Sequence, residues 1–247
     1  MYKNNTICRG MIKINLPVDI VSVNCINPSE SLKALDYSSK NINFNNSYIF
    51  TSENVQSEEH EVIKIDKFKS ILDYSNFMLK IGEYIKSDHV LVIQDDGHVV
   101  NSHNWSDDFL NYDYIGSPWP QTTKWRKRWS TKEYGDANKN VLKNRVGNGG
   151  FSLRSRAFLE YSSKFDSCNG LPEDVFLCLV NYKDALKEQI KFAPFDVAFK
   201  FSCEVPLKGR KLQKEGKNQN YDFENHFGWH GKRFLNSDKL LNLKNEI

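Results

Sequence analysis

VLVIQDDGHVV, residues 90–100, runs four aliphatic side chains straight into a glutamine, two acids, a glycine and a histidine. The aliphatic part reads as a buried strand that begins at His89. Its end raises the question of function, because a carboxylate is costly to bury unless it has a partner. A metal ion, a cationic side chain or solvent at a strand end would each serve. Gln94 and Asp96 stand two apart and so face one side, while Asp95 faces the other. Two oxygen-bearing side chains on one side of a strand end suit a hard cation such as Mg²⁺ or Mn²⁺. An acidic turn through Asp95, Asp96 and Gly97 would use the same residues for structure alone.

Upstream of this strand lie others. VDIVSV, 18–23, is a strand ending at Asn24, and a turn at Asn27-Pro28 opens a short helix in PSESLKALDYSSK. SYIFTS, 47–52, is a second strand. The stretch 65–87 places Phe68, Ile71, Leu72, Phe77, Leu79, Ile81 and Ile85 at roughly helical spacing before the chain enters HVLVI. Strand and helix alternating over about the first hundred residues predict parallel βαβ units. Ligands of such sheets gather beyond the carboxyl ends of the strands, which is where Gln94, Asp95 and Asp96 fall.

The bulk composition excludes several classes. With 39% hydrophobic and 26% charged residues the 247-residue chain reads as soluble and globular. A net charge of +3 argues against a nucleic-acid partner. The five cysteines include no Cys-x-x-Cys pair, so neither a disulfide framework nor a zinc knuckle is expected, and a reducing cytosol is. No apolar run reaches membrane-spanning length, and MYKNNTICRG lacks the apolar core of a signal peptide. A cytoplasmic location follows as the expectation. Without repeats or an obvious linker, the chain reads as one domain over 1–247.

The second half carries weaker signals. NYDYIGSPWPQ has a strand-like core, VGNGGFSLRSRAFLEYSSKF reads as glycine turn, strand and helix, and FAPFDVAFKFSCEV reads as a strand. In LPEDVFLCLVNY a helix opens at Pro172, and Glu173 and Asp174 in its first turn are favoured by the helix dipole. A general base held rigidly at a cleft would look the same. Gly147, Gly149 and Gly150 permit close backbone approach but match neither a Walker A loop nor the dinucleotide fingerprint. His226 and His230 flank FGW, with Gly228 between them making a helical metal pair doubtful. KWRKRW, 124–129, is a basic run with interleaved aromatics.

Taken together and in order, VIQDDGHVV, YDYIGSPWP, VGNGGFSLRS, PEDVFLC, KFAPFDVAFKFSCE and FGWHG resemble a bacterial family of uncharacterised domains assigned to the GT-A glycosyltransferases. The match extends from about residue 18 to 234. The order is more distantly similar to inverting GT-A enzymes such as the β-1,3-glycosyltransferases. The resemblance implies an α/β, GT-A-like single domain with a central mixed, mostly parallel sheet flanked by helices. Its nucleotide-binding half would cover about 15–100 and its acceptor and catalytic half about 101–235. By motif, Asp96 takes the place of the metal-binding last Asp of an Asp-x-Asp, and His230 that of the late metal-binding His. Gly149 and Gly150 match the glycine turn lining the sugar pocket, and Asp174 the catalytic base with Glu173 beside it. Gln94 stands where many relatives have the first Asp.

The implied activity is transfer of a sugar from a nucleotide diphosphate to a hydroxyl, with inversion and with Mn²⁺ or Mg²⁺ as cofactor. Asn24, Gln94 and Asp95 would contact the donor with the glycine turn, and Glu173 and Trp119 the acceptor. The family context implies surface polysaccharide assembly (lipopolysaccharide O-antigen or capsule). A glycan or lipid-linked glycan would be the acceptor, and KWRKRW would touch the inner membrane face. A retaining transferase on the same fold, a silent sugar- or nucleotide-binding module, and a metal-dependent phosphoesterase are the alternatives.

Overall fold

Alternation along the two apolar strands divides the core into two faces. The computed structural model describes residues 13–119, 146–204 and 225–231; MYKNNTICRG and KWRKRW lie outside them. In β2 (Asp19–Val23) and β6 (His89–Ile93), Ile20, Leu91 and Ile93 face one side of the sheet and Val21, Val90 and Val92 the other. The first set packs with Ala34 and Leu35 of α1 (Pro28–Ser38). The second packs with Met78 of α2 (Ile71–Lys80), Leu159 of α3 (Arg156–Ser163) and Tyr48 and Phe50 of β4 (Ser47–Thr51). Helices therefore cover both faces, as strands apolar on both sides require.

The central sheet has six strands in the order β5-β4-β2-β6-β9-β8, with β5 at Glu61–Lys64, β8 at Tyr114–Gly116 and β9 at Phe151–Ser155. Neighbours from β5 through β6 run parallel. β9 is antiparallel to both β6 and β8. This is the mixed, mostly parallel sheet expected. The antiparallel strand matters most for the site. Its register sets Phe151 opposite Ile93, so the residues entering β9 stand beside those leaving β6.

Two smaller sheets complete the described residues. β1 (Ile14–Leu16) pairs with β3 (Ile42–Phe44), and β10 (Ser202–Cys203), β11 (Gly228–His230) and β7 (Gly97–Val99) form a three-stranded sheet. The stretch expected to be a strand around FAPFDVAFKF is instead helix α6 (Phe195–Phe201), with Pro194 just before it; Phe192 makes an isolated bridge to Tyr114, and Ser202 and Cys203 form a short strand. Its apolar residues recur at helical as well as strand spacing, and burial of Ala198 and Phe201 on one face decides for the helix. Between α3 and α6 lie α4 (Glu173–Val175), which continues into a π-helical turn (Phe176–Val180), and α5 (Tyr182–Lys187). Cys25, Cys168, Cys178 and Cys203 are buried thiols rather than disulfides. Among the described residues no helix is long and apolar enough to cross a membrane.

One buried carboxylate pins the loop that feeds β6. Asp19 is fully buried; its Oδ2 accepts from the Lys86 and Ser87 backbone N–H groups at 3.0 and 3.1 Å. Its Oδ1 accepts from Ser87 Oγ and Asn46 Nδ2, both at 2.7 Å. Four donors replace the water that burial removed. Asp19→Ala leaves them without an acceptor and is expected to lower unfolding free energy by about 3 kcal/mol or more, read from urea denaturation.

Candidate functional site

The candidate site forms where β6 ends and β9 begins. Gln94 N–H donates to the Gly150 carbonyl at 2.9 Å, extending the β6–β9 ladder by one rung into the glycine turn. Gly149 and Gly150 then lie between two groups of side chains. A Cβ on Gly149 would stand 2.5 Å from Glu173 Oε1 and 3.3 Å from Asp174 Cβ. A Cβ on Gly150 would collide with the His230 imidazole. Only glycines let the chain pass here, and the turn therefore brings the two candidate groups to opposite sides of one dipeptide.

On the first side, α4 opens at Glu173 with Pro172 as its N-cap. Asp174 accepts from its neighbour Val175 N–H at 2.7 Å and from Gly149 N–H at 3.3 Å. Burial, and after it the charge of Glu173, push the Asp174 carboxyl up to about 7, against the pull of these two donors. Glu173 itself is buried and ion-paired: Arg154 Nη2 lies 3.0 Å from its Oε1. Arg154 also donates through Nε to Ser152 Oγ at 3.1 Å. Glu173, expected to meet an acceptor, thus has its Oε1 committed to Arg154 and clamps the helix start to β9.

On the second side stands His230, in β11. Its Nε2 lies 3.1 Å from Gln94 Oε1 and 3.2 Å from Asp96 Oδ1. Glu204 Oε1 is 3.6 Å from Nδ1, on the opposite edge of the ring. Burial alone pulls the imidazole down; the contact with Asp96 and the charges of Asp96 and Glu204 outweigh it and push it up to about 9. His226 is separate from this group: its Nδ1–H donates to the Phe199 carbonyl at 2.5 Å, a packing role.

The donor chemistry here fits a divalent ion. Oxygen from Asp96 and Gln94 and nitrogen from His230 converge, separated from the shared nitrogen by 3.2 and 3.1 Å. Neighbouring ligands of an octahedral ion at 2.0–2.1 Å stand about 3 Å apart, so these spacings match. Among the described residues no three His, Cys, Asp or Glu side chains form a metal-holding group. With Gln94 the donor set would be one carboxylate, one amide oxygen and one imidazole.

Gln94 also faces a cavity. Its Nε2 donates to the Tyr74 hydroxyl at 3.2 Å. Tyr74, Gln94 and Asp95 line a space of about 520 Å³ at the carboxyl ends of β2 and β6, with Asn24, Lys69 and Ile71 on its other walls. That is the size of small-molecule sites. Asn24 is placed there as expected, yet its polar atoms are engaged locally. Oδ1 accepts from the Ile26 and Asn27 N–H groups, and Nδ2 donates to the Asn27 carbonyl and Ser31 Oγ. It shapes the loop rather than presenting a free amide. Trp119, expected to stack on a sugar, is only 4% exposed and packs its ring against Gly147 in the core. A ring covered on its faces by protein has none left for a sugar.

The sequence reasoning missed Arg154, Tyr74 and Glu204. Arg154 sits in an otherwise small and apolar strand, FSLRS, where a lone arginine signals a buried anionic partner. Tyr74 and Glu204 give no such local signal.

A model of the family described as "Protein of unknown function (DUF5672)" matches residues 58–219, and the chain belongs to that family. No curated protein matches it in sequence. Among solved structures it is similar to the galactosyltransferase LgtC in complex with donor and acceptor sugar analogues, at 15% identity over 93% of this chain and 96% of that one, with a TM-score of 0.49. An active-site mutant of LgtC is similar at 14% identity over 92% and 94% of the two chains, also with a TM-score of 0.49.

Asp174 and His230 are both raised above their ordinary values, so both contribute stability that is lost as pH rises. His230, raised from about 6.5 to about 9, contributes stability that is complete below about pH 6.5 and lost as pH rises through about 9. In chelator-treated protein, melting temperature compared between wild type and His230→Gln from pH 6 to 9.5 is expected to show the wild-type advantage shrinking across that window.

Proposed function

We propose that this protein is a glycosyltransferase that moves a sugar from a nucleotide diphosphate donor to a hydroxyl acceptor with inversion. The observation that carries the reading is the glycine dipeptide with Asp174 on one side and the Asp96–His230 pair on the other. A transferase needs a base at the incoming hydroxyl and positive charge at the departing diphosphate. One side of this turn offers the base, and the other would offer the charge with a divalent ion bound.

In this reading the nucleotide occupies the cavity between Asn24, Tyr74 and Asp95, and the diphosphate lies toward Asp96. Asp96, Gln94 and His230 would hold Mn²⁺ or Mg²⁺, which supplies positive charge against the developing diphosphate when bound. Gly149 and Gly150 let Asp174 and His230 close on the turn from its two sides. Asp174 takes the proton of the acceptor hydroxyl as that oxygen attacks the anomeric carbon from the face opposite departure. A carboxyl raised to about 7 is a base suited to neutral pH: strong enough to hold the proton, yet ionised in a large fraction of molecules. Glu173 and Arg154 position that carboxyl. Asn24 supports one wall of the cavity. A cytoplasmic enzyme of surface polysaccharide synthesis, acting on a glycan or lipid-linked glycan and touching the inner membrane face through KWRKRW, is the setting we propose.

Incubation with a panel of nucleotide sugars and Mn²⁺, with product configuration read by NMR, tests the reading. A product of unchanged anomeric configuration would remove the inverting mechanism. Asp174→Asn is expected to lower kcat by roughly 10²–10⁴-fold while donor binding persists. In the wild type kcat/KM should rise with pH through about 7, the ionised carboxylate being the active form, and that limb should vanish in the variant.

A further inference from the structure

The edge of His230 that turns away from Asp96 holds a group the proposed reaction does not use. Nδ1 is buried and has no hydrogen-bond partner among the described residues, and Glu204 Oε1 lies 3.6 Å from it. A buried ring nitrogen with a carboxylate just beyond bonding distance is not a chance neighbour when the backbone aligns the two. β10 pairs with β11 in parallel with Cys203 opposite Trp229, so the next step along both chains sets Glu204 beside His230. On the other side β11 pairs with β7, with His230 opposite Gly97, and Gly231 N–H donates to the Asp96 carbonyl at 2.9 Å. The small sheet thus sets Glu204, just past the end of β10, and Asp96, just before the start of β7, on either side of His230 in β11.

We infer that Glu204 is the outer carboxylate that orients His230 for the metal ion, holding the imidazole in the tautomer that offers Nε2 to the ion beside Asp96 and Gln94. The inference rests on the metal reading given above. An imidazole that binds a metal through Nε2 carries its proton on Nδ1, and an acceptor at Nδ1 fixes both the tautomer and the ring angle. It also makes Nε2 a stronger donor. Glu204 is placed for this and not for direct ligation, because it meets the ring on the edge opposite Asp96. Its side chain is 30% exposed, so a short rotation can close the gap to Nδ1 without repacking the core. Loss of such an outer partner weakens metal binding by about 10–100-fold.

The test titrates the full chain with Mn²⁺ and follows free Mn²⁺ by electron paramagnetic resonance, with circular dichroism to verify folding. Glu204→Ala is expected to bind 10–100-fold more weakly than wild type. Glu204→Gln, whose amide oxygen still accepts from Nδ1–H, should stay close to wild type, and Asp96→Ala should lose binding. Should the alanine variant not fold, Glu204→Asp, one methylene short of Nδ1, carries the same expected weakening. In the Mg²⁺-loaded protein, ¹⁵N shifts of His230 should report a protonated Nδ1 in wild type and a rapidly exchanging one in Glu204→Ala. Wild-type affinity in both Glu204→Ala and Glu204→Asp overturns the role of Glu204 alone. Equal loss in the alanine and glutamine variants also overturns it, since then charge or direct ligation matters and not the tautomer. A wild-type chain that binds no Mn²⁺ overturns the metal reading and this inference together.

Discussion

Between the Glu173 carboxylate and the His230 ring the backbone at Gly149 and Gly150 has no room for a methyl group on either side. That constraint decides the geometry of the whole site. It follows from β9 running against β6: a parallel strand in the same place would send its amino end to the far edge of the sheet, away from Gln94. The reversal puts the glycine turn at the carboxyl ends of the parallel strands, where open sheets of this kind leave their crevice. The fold supplies the crevice, and the two missing side chains let groups from α4 and β11 share it.

The clamp behind the turn is a buried ion pair, and such pairs seldom add stability over an apolar replacement of equal volume. Arg154 and Glu173 are better understood through what they hold. Arg154 reaches Ser152 and Glu173 together, tying β9 to the first turn of α4. It also lies 5.6 Å from the Tyr114 ring, which fixes its remaining face. The cost of burying these charges is offset by a rigid helix start. Asp174, next along the chain, inherits both the rigidity and the unfavourable proximity of Glu173, and it is the second of these that helps raise its carboxyl.

Much of the fold was legible because apolar strands such as DIVSV and HVLVI admit few other readings. β1, β3 and β7 were not legible, since each is three residues long and none alternates over enough positions to show a period. The segment around Phe195–Phe201 shows the opposite failure: its aromatics satisfy two periods, and only tertiary burial separates them. In the candidate site, Asp96, Gly149, Gly150, Asp174 and His230 could be picked out by motif order, and the structure brings them together around one turn. Glu204 could not, because its place beside His230 depends on a register between strands separated by more than twenty residues of sequence. Glu173 and Trp119 illustrate the reverse, since burial is invisible in a motif and both residues proved to be interior.

The four thiols of the described chain are sealed in four different neighbourhoods: at the rim of the cavity (Cys25), ahead of α4 (Cys168), within the π-helical turn (Cys178) and on β10 (Cys203). Burial pushes Cys168 and Cys203 up to about 12 and raises Cys178 well above its ordinary value, so these three stay in the unreactive neutral form while the fold is closed. Alkylation at each therefore waits for its own surroundings to open. The sulfur atoms act as built-in reporters, and their separate labelling rates chart which parts of the molecule breathe together and which come apart alone.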